Sequence, residues 1–307
     1  MDRAAQALKR LKGPIATVNV CFNEDGTVNY TAVGKYINWL CEQKIPVLLL
    51  TYGSSEFASL SDEEIWELTE TVARANGGRS LCIASTDFWK PAKTREFLKH
   101  ADSVGVDAVK VQINPWLPKT RKVLVRYFDL IERASDMPLL LWGHAPPPFP
   151  VEVVAELAQR RNIIGMKNDA DPFYDYYDLI RATADEDFAV ISGGQMRNFA
   201  FGYQIGSPAY LCTIAPFRPD IALVFYDLLV ARRFDEAWQM VFQYEEPWLK
   251  KALEMDWLLS IKSALLLYGL YPNNRPCETR RPHTVEESEK IRQCLESVFG
   301  PIQKVSL

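Results

Sequence analysis

Eight short apolar runs, each followed by a longer amphipathic segment, constrain the fold of this chain more than any other feature of its sequence. The runs occupy residues 15–21, 46–52, 80–85, 108–113, 138–142, 163–167, 188–192 and 209–213. Uninterrupted apolar runs are typical of strands covered on both faces, and the intervening segments are long enough for parallel crossovers. No G-x-G-x-x-G or Walker sequence follows the first run, which disfavours a doubly wound nucleotide-binding sheet. We therefore predict an α/β fold, a (β/α)8 TIM barrel with a C-terminal helical extension.

The helical extension begins where the strand pattern stops, near residue 232. Helical patterns continue over residues 234–253, 256–270 and 284–299, and no linker rich in proline, glycine or serine interrupts residues 15–232. Ser61 and Glu64 have the spacing of a capping box and predict a helix that begins beside them. The expected organisation is a barrel over residues 1–232 and a helical bundle over residues 233–307 that packs on the barrel.

Charge and cysteine content narrow the classes of partner. The chain has 35 Lys plus Arg and 39 Asp plus Glu residues, a net charge of -4, and no basic run that would attract nucleic acid or an anionic membrane. Six cysteines lie far apart, without a C-x-x-C pair or a histidine at metal-ligand spacing. We expect buried thiols, no metal site and a reducing, cytoplasmic setting. No secretory signal pattern stands at the start, and no segment reaches the ~18 apolar residues of a membrane span.

Lys167 is the residue that most directly suggests chemistry. It ends the sixth apolar run, and the carboxyl ends of barrel strands form the reaction face of such folds. A lysine among apolar neighbours has its charged form disfavoured, which is what an amine needs to attack a carbonyl and form an imine. The same position also suits a structural lysine that reaches the rim or pairs with Asp169 or Asp171.

Five stretches of the chain resemble the dihydrodipicolinate synthase and N-acetylneuraminate lyase family of class I aldolases. They are GPIATVNVCFNEDGTVNY (13–30), NIIGMKNDADP (162–172), FAVISGGQ (188–195), GSPAYLCTIAP (206–216) and SIKSALLLYGL (260–270). The resemblance implies the same fold with its trailing helices, an imine between Lys167 and a 2-keto acid such as pyruvate or a keto-sugar acid, and no cofactor beyond that covalent bond. It also implies substrate contacts by Gly193 and Gly194 and a homodimer or homotetramer.

The turn after the second strand departs from the family pattern. The family carries Gly-Thr-Thr-Gly-Glu or Gly-Ser-Thr-Gly-Glu there, and its hydroxyl and backbone donors bind the carboxylate of the keto acid. The sequence here is Tyr52-Gly53-Ser54-Ser55-Glu56. Ser54 and Ser55 can supply donors to a carboxylate, so we expect them to bind substrate. They also suit a simple turn.

The proton-transfer residues of the family are missing. Its tyrosine on strand five falls on Trp142, whose indole N–H donates a hydrogen bond but is neither acid nor base near neutral pH. We expect Trp142 to line the substrate site, and we predict His144 and Tyr52 as the replacement catalytic groups. The family's second tyrosine, after strand four, and the arginine that dihydrodipicolinate synthases carry after strand five are also absent. The protein is therefore predicted not to be a true dihydrodipicolinate synthase.

Three functional hypotheses stay open at this point. The first is a lyase that uses Lys167. The second is a catalytically silent relative that binds a keto acid or another metabolite, which the lost tyrosines favour. The third is a dehydratase or hydratase-aldolase for an aromatic or sugar-acid substrate. Lys110, in the middle of strand four, is interpreted as an outward-facing or salt-bridged structural residue.

Overall fold

The computed structural model describes residues 2–133, 135–143, 147–169 and 172–307. Eight parallel strands form a closed barrel in chain order, which confirms the predicted fold class. The strands are β1 (Gly13–Thr17), β2 (Val47–Leu49), β3 (Leu81–Ser85), β4 (Ala108–Gln112), β5 (Leu139–Trp142), β6 (Ile163–Asn168), β7 (Ala189–Ser192) and β8 (Ala209–Leu211). Each predicted run contains or overlaps a strand. The first and second runs extend past their strands into residues that have no regular secondary structure.

The barrel closes between its first and last strands, where Gly13 pairs with Ala209 and Ile15 pairs with Leu211. All neighbours run parallel, so the carboxyl ends of the strands share one edge. Inside one strand, side chains alternate between the barrel interior and the helix-covered face. This alternation decides which polar residues of β4, β5 and β6 point inward.

Thirteen α-helices accompany the strands in the described part of the chain. They are α1 (Arg3–Arg10), α2 (Tyr30–Glu42), α3 (Asp62–Asn76), α4 (Pro91–Ser103), α5 (Arg121–Glu132), α6 (Val151–Ala158), α7 (Phe173–Ala182), α8 (Met196–Ile205), α9 (Pro219–Val230), α10 (Phe234–Met240), α11 (Glu246–Glu254), α12 (Trp257–Leu267) and α13 (Val285–Phe299). None of the helices in these ranges is long and apolar enough to cross a membrane.

The contacts of the chain divide it into two compact units that interleave in sequence. The first comprises the residues up to Ile15, Pro46–Leu49 and Ser80–Leu211, and it contains every strand residue except the last two of β1. The second comprises Ala16–Ile45, Leu50–Arg79 and Cys212–Leu307. The division of the sequence at residue 232 into a barrel and a packed helical bundle stays a prediction.

The core of the first unit fills the barrel and extends to helix α1, which the sequence patterns above do not predict. Ala4, Ala7 and Leu11 join inward residues of the strands in one buried cluster, and α1 packs against β6. The Asp2 carboxylate caps the helix by accepting a hydrogen bond from the N–H of Ala5 at 2.8 Å. Small alanines suit this position because they let the helix approach the barrel closely.

The second unit contains a cluster of aromatic rings, of which Phe217, Trp248 and Tyr268 are buried. Phe217 lies 5.1 Å from Trp248, 5.7 Å from Tyr268 and 5.6 Å from Phe299, measured between ring centroids. These rings come from the segment before α9 and from α11, α13 and the end of α12, so their contacts hold the C-terminal helices together. Helix α3 of the same unit begins at the predicted capping box of Ser61 and Glu64.

The predicted helix over residues 234–253 is divided by a wider turn. Residues Val241–Glu245 form a π-helical segment between α10 and α11. Pro247 explains the change, because proline has no backbone N–H to donate and its ring crowds the carbonyl four residues earlier, at Gln243. The helical direction continues through the segment, since the flanking residues keep helical backbone angles.

Candidate active site

Lys167 lies in β6, which ends one residue beyond the predicted end of the strand, at Asn168, and its side chain is buried. The residue is 7% exposed, and its amine forms an ion pair with Asp169, which follows the strand. This is one of the two pairings that the sequence suggested; Asp171, the other, lies outside the described residues. The amine is therefore held at the carboxyl edge of the barrel by a carboxylate whose side chain is 40% exposed.

Trp142 joins the same group from β5. Its indole Nε1–H donates to Asp169 Oδ2 at 3.2 Å, while Asp169 Oδ1 accepts from Lys167. The Lys167 Nζ atom lies 5.1 Å from the centre of the indole ring, close enough for a cation–π interaction. One carboxylate thus connects the lysine with the residue that occupies the position of the family tyrosine. At the position where the family has a proton-transferring tyrosine, the indole acts as a hydrogen-bond donor.

Lys110 corrects the sequence interpretation, because it points into the barrel and forms no salt bridge among the described residues. It is 1% exposed, and its Nζ lies 4.2 Å from the centre of the Trp142 ring. The nearest hydrogen-bond acceptor that it reaches is Gln112 Oε1, at 3.5 Å. Burial lowers the pKa of Lys110 well below its usual range; the positive charge of Lys167 lowers it further, and Asp169 opposes the shift.

The alternation of residues along β4 explains the inward direction of Lys110. The strand reads Ala-Val-Lys-Val-Gln, so Lys110 and Gln112 alternate with two valines. Ala108 belongs to the core cluster inside the barrel, and side chains two residues apart share a face. The position of Ala108 therefore places Lys110 inside, where a single strand read alone leaves its direction undecided.

Gly193 and Gly194 follow β7 and differ in their surroundings. A Cβ atom on Gly193 would lie 2.2 Å from Asp169 Oδ1 and 2.7 Å from Asp169 Cα, so only glycine allows this approach. The Gly193 N–H also donates to the Asn168 carbonyl at 2.5 Å. Gly194 has open space at its Cβ position. Gly193 thus shapes the backbone around Asp169, and substrate contact by the two glycines stays a prediction.

The predicted carboxylate-binding turn belongs to the second unit. The Ser55 hydroxyl donates to the Val18 carbonyl at 2.6 Å and accepts from the Thr51 N–H at 3.1 Å. The Ser54 N–H donates to Thr51 Oγ1 at 3.0 Å, and its hydroxyl has no hydrogen-bond partner among the described residues. Ser55 is therefore occupied in holding the turn. Ser54 is the serine whose hydroxyl stays available, although the residue is only 3% exposed.

Glu56 closes this turn and pairs with Lys262, which lies in the stretch 260–270 that resembles the family. Its Oε1 accepts from the Cys277 N–H at 2.9 Å, and its Oε2 lies 2.6 Å from Lys262 Nζ. Lys262 also donates to the carbonyls of Val20, at 2.6 Å, and Arg275, at 2.9 Å. Burial lowers the pKa of Lys262, and the Glu56 charge opposes that shift. The pair crosslinks three segments of the second unit.

Of the two predicted replacement groups, the structure describes Tyr52 but not His144. Tyr52 is half-buried at the start of the turn, and its backbone carbonyl accepts from the Phe57 N–H at 3.1 Å. His144 lies outside the described residues. Their catalytic roles stay predictions. In the described ranges, no group of three or more His, Cys, Asp or Glu side chains comes together as a metal-binding set.

Comparison with known proteins gives the family. The model of the dihydrodipicolinate synthetase family matches residues 10–298. A DapA-like lyase from Thermococcus onnurineus is 25% identical over 303 residues, which cover 94% of this chain and all of that protein. The fold is shared with dihydrodipicolinate synthase from Oceanobacillus iheyensis, with a TM-score of 0.86, 20% identity and coverage of 96% and 99% of the two chains. N-acetylneuraminate lyase from Fusobacterium nucleatum gives a TM-score of 0.86 at 17% identity, with coverage of 94% and 99%. The chain belongs to the dihydrodipicolinate synthetase family, as a divergent member.

Proposed function

We propose that the protein is a lyase of the class I aldolase type, in which Lys167 forms an imine with a 2-keto acid such as pyruvate or a keto-sugar acid. The observation that carries this proposal is the buried Lys167 amine at the carboxyl edge of the barrel, beside the Asp169 carboxylate. Family membership and the DapA-like relatives support the same class of reaction. The imine itself withdraws electrons, so the proposed chemistry uses no organic cofactor or metal.

The residues around Lys167 suggest how the imine forms. The Lys167 ammonium passes a proton to Asp169, and the neutral amine then attacks the keto carbon, C2. Asp169 then returns its proton to the carbinolamine hydroxyl, which leaves as water and gives an iminium ion. This cation accepts the electrons released when a bond to the neighbouring carbon, C3, breaks, as in aldol cleavage. Trp142 orients Asp169 through its indole N–H, which leaves the carboxylate directed at the amine.

Trapping with borohydride tests the imine directly, since only an imine is reduced to a stable secondary amine. We expect pyruvate plus borohydride to add a mass on the peptide that contains Lys167, and the adduct to vanish in Lys167→Met. Lys119→Met is the matched control, because Lys119 is also buried but binds the carbonyls of Asn114 and Leu117. An adduct confined to Lys110 or Lys262, or no adduct with any of a panel of 2-keto acids, contradicts the assignment.

The substrate is proposed to differ from that of a true dihydrodipicolinate synthase. Trp142 stands where the family has its proton-transferring tyrosine, and residues 145–149 lack the arginine of those synthases. The buried indole beside Lys167 favours a substrate with a less polar or stackable tail. Trapping yields across 2-keto acids of increasing tail size rank these substrates. A yield that is highest for pyruvate and falls steeply with tail size contradicts this choice.

A silent relative that binds a keto acid is the second candidate, and the indole at the tyrosine position favours it. An indole cannot carry protons near neutral pH, so a protein that relied on this position would bind substrate without turnover. The same trapping experiment separates the two functions when product is measured beside it. Adduct at Lys167 without product from any substrate supports the silent relative, whereas product formation contradicts it.

We also propose a homodimer or homotetramer with a cytoplasmic setting. Large apolar side chains that are exposed in the single chain support association: Trp116 is 93% exposed, Tyr174 77% and Phe201 51%. Sedimentation at a series of dilutions tests this. A strictly monomeric species at micromolar concentration contradicts it.

A further inference from the structure

Two lysines share one indole ring inside the first unit. Lys167 and Lys110 lie 5.1 and 4.2 Å from the centre of the Trp142 ring. Their nitrogens are therefore no further apart than the sum of these distances, about 9 Å. The imine-forming amine on β6 thus has a second amine for a neighbour on β4, and Trp142 belongs to the intervening strand β5.

The two amines have different partners. Lys167 is paired with the Asp169 carboxylate. Lys110 has no carboxylate within ion-pair distance among the described residues, and its one hydrogen-bond contact there is with the neutral Gln112 amide. The charged groups that act on Lys110 are Lys167 on β6, which repels a proton, and Asp169 after β6, which attracts one. An amine in this setting is poised to be neutral, since burial also disfavours its charged form.

We propose that Lys110 removes and returns the proton on C3 of the substrate that is bound to Lys167 as an imine. This inference rests on the proposed function. The neutral Lys110 amine takes a proton from C3, and the electrons of the C3–H bond form a C2–C3 double bond. The electrons of the C2–N π bond move to nitrogen, which gives a neutral enamine and a Lys110 ammonium. The reverse steps return the proton to C3 and restore the iminium ion and the neutral Lys110 amine.

Three features support Lys110 as this group. Its amine faces the indole that borders Lys167, and the imine carbon chain begins at the Lys167 nitrogen. The lowered pKa of Lys110 allows an amine to act as a base near neutral pH, which an ordinary lysine does poorly. Trp142 cannot transfer the C3 proton itself, because its N–H is hydrogen-bonded to Asp169 and an indole is neither acid nor base near neutral pH.

Exchange of the pyruvate methyl protons with deuterium oxide measures this step without a known natural substrate. Wild-type protein should catalyse the exchange, followed by nuclear magnetic resonance or mass spectrometry of pyruvate. Lys110→Met should reduce the exchange rate by the roughly 10²- to 10⁴-fold that acid–base catalysis contributes, while borohydride trapping at Lys167 persists. Lys110→Arg should show the same loss, because a guanidinium stays charged. Lys119→Met is the control and should exchange at the wild-type rate.

The outcomes separate this inference from the function on which it rests. Trapping at Lys167 with undiminished exchange in Lys110→Met overturns the role of Lys110 alone. Trapping at Lys167 in the wild type without any exchange does the same. No adduct in the wild type overturns the imine and, with it, the inference. An adduct on Lys110 overturns both assignments. Persistent trapping in Lys110→Met also shows that the variant is folded, and Lys110→Gln repeats the test if the Met variant does not accumulate.

Discussion

Lys262 in the second unit and Lys110 in the first are both 1% exposed, yet their surroundings are opposite. Lys262 lies against a carboxylate at 2.6 Å and two backbone carbonyls, whereas Lys110 faces an aromatic ring and one amide oxygen at 3.5 Å. Burial alone therefore does not define the role of a lysine. The groups around the amine decide its role. A carboxylate and carbonyls stabilise the charged form of Lys262, which then crosslinks segments of the chain, whereas the surroundings of Lys110 disfavour the charged form and lower its pKa.

The carboxylate partner of Lys262 is itself held in an unusual conformation. Glu56 has φ 50°, in the left-handed region that non-glycine residues rarely adopt and that costs of order 1–3 kcal/mol. Its carboxylate is fixed by Lys262 and by the Cys277 N–H. The ion pair thus offsets a strained turn. In the first unit, no comparable contact secures the Lys110 amine among the described residues.

Breaking the crosslink should have the largest effect on stability. Lys262→Met leaves the buried Glu56 charge unpaired, and we expect the free energy of unfolding to fall by about 3–5 kcal/mol. Urea unfolding measures it. In the double variant with Glu56→Gln, part of that loss should be recovered because no charge is left behind. A loss below about 1 kcal/mol in the single variant would make the pair unimportant and remove the contrast with Lys110.

Removing the Lys110 amine should have the opposite sign. Lys110→Met replaces a buried, poorly bonded amine with an apolar side chain of similar length, so we expect a gain of roughly 1 to 3 kcal/mol in the free energy of unfolding. The same urea titration at pH 7 measures it. Destabilisation by more than 1 kcal/mol would mean that the amine has a structural role like that of Lys262.

The stability gain in Lys110→Met should shrink as the pH rises. The folded-state pKa of Lys110 is lowered, so between that pKa and the ordinary value near 10.4 the unfolded chain binds a proton that the folded chain does not. Raising the pH then removes the advantage of the unfolded wild type, by at most about 1.4 kcal/mol per pH unit. Urea unfolding of both proteins between pH 7 and 10 tests this. A difference that is constant with pH would contradict a lowered pKa.

The smallest expected effect distinguishes the two serines of the turn in the second unit. Ser55→Ala removes a hydroxyl that donates to the Val18 carbonyl and accepts from the Thr51 N–H, and should cost about 1 to 2 kcal/mol. Ser54→Ala removes a hydroxyl without such contacts and should change stability by less than about 0.5 kcal/mol. Equal stability losses would show that the serines share one structural role.

The sequence predicts the barrel well because the evidence for each strand is local. Runs such as residues 163–167 carry their own apolar pattern. The observed strand β6 begins at Ile163, as the run does, and ends at Asn168, one residue after the end of the run. The position of Lys167 follows from that pattern alone. The direction of the Lys110 side chain could not be predicted in this way, because it depends on which face of β4 meets the barrel interior. The ion pair between Lys262 and Glu56 is still harder to predict, because the two residues are far apart in sequence and meet only in the folded unit. The same holds for the hydrogen bond from the Cys277 N–H to Glu56.

The indole of Trp142 gives the protein a built-in optical reporter beside the Lys167 amine. Indole emission responds to nearby charge, and the proposed imine would change the bonding and charge of the Lys167 nitrogen, which lies 5.1 Å from the ring centre. The chain has eight tryptophans, so the spectrum of Trp142→Phe subtracted from that of the wild type isolates this ring. Rapid-mixing fluorescence can therefore time the covalent step for any candidate keto acid, before its product is known.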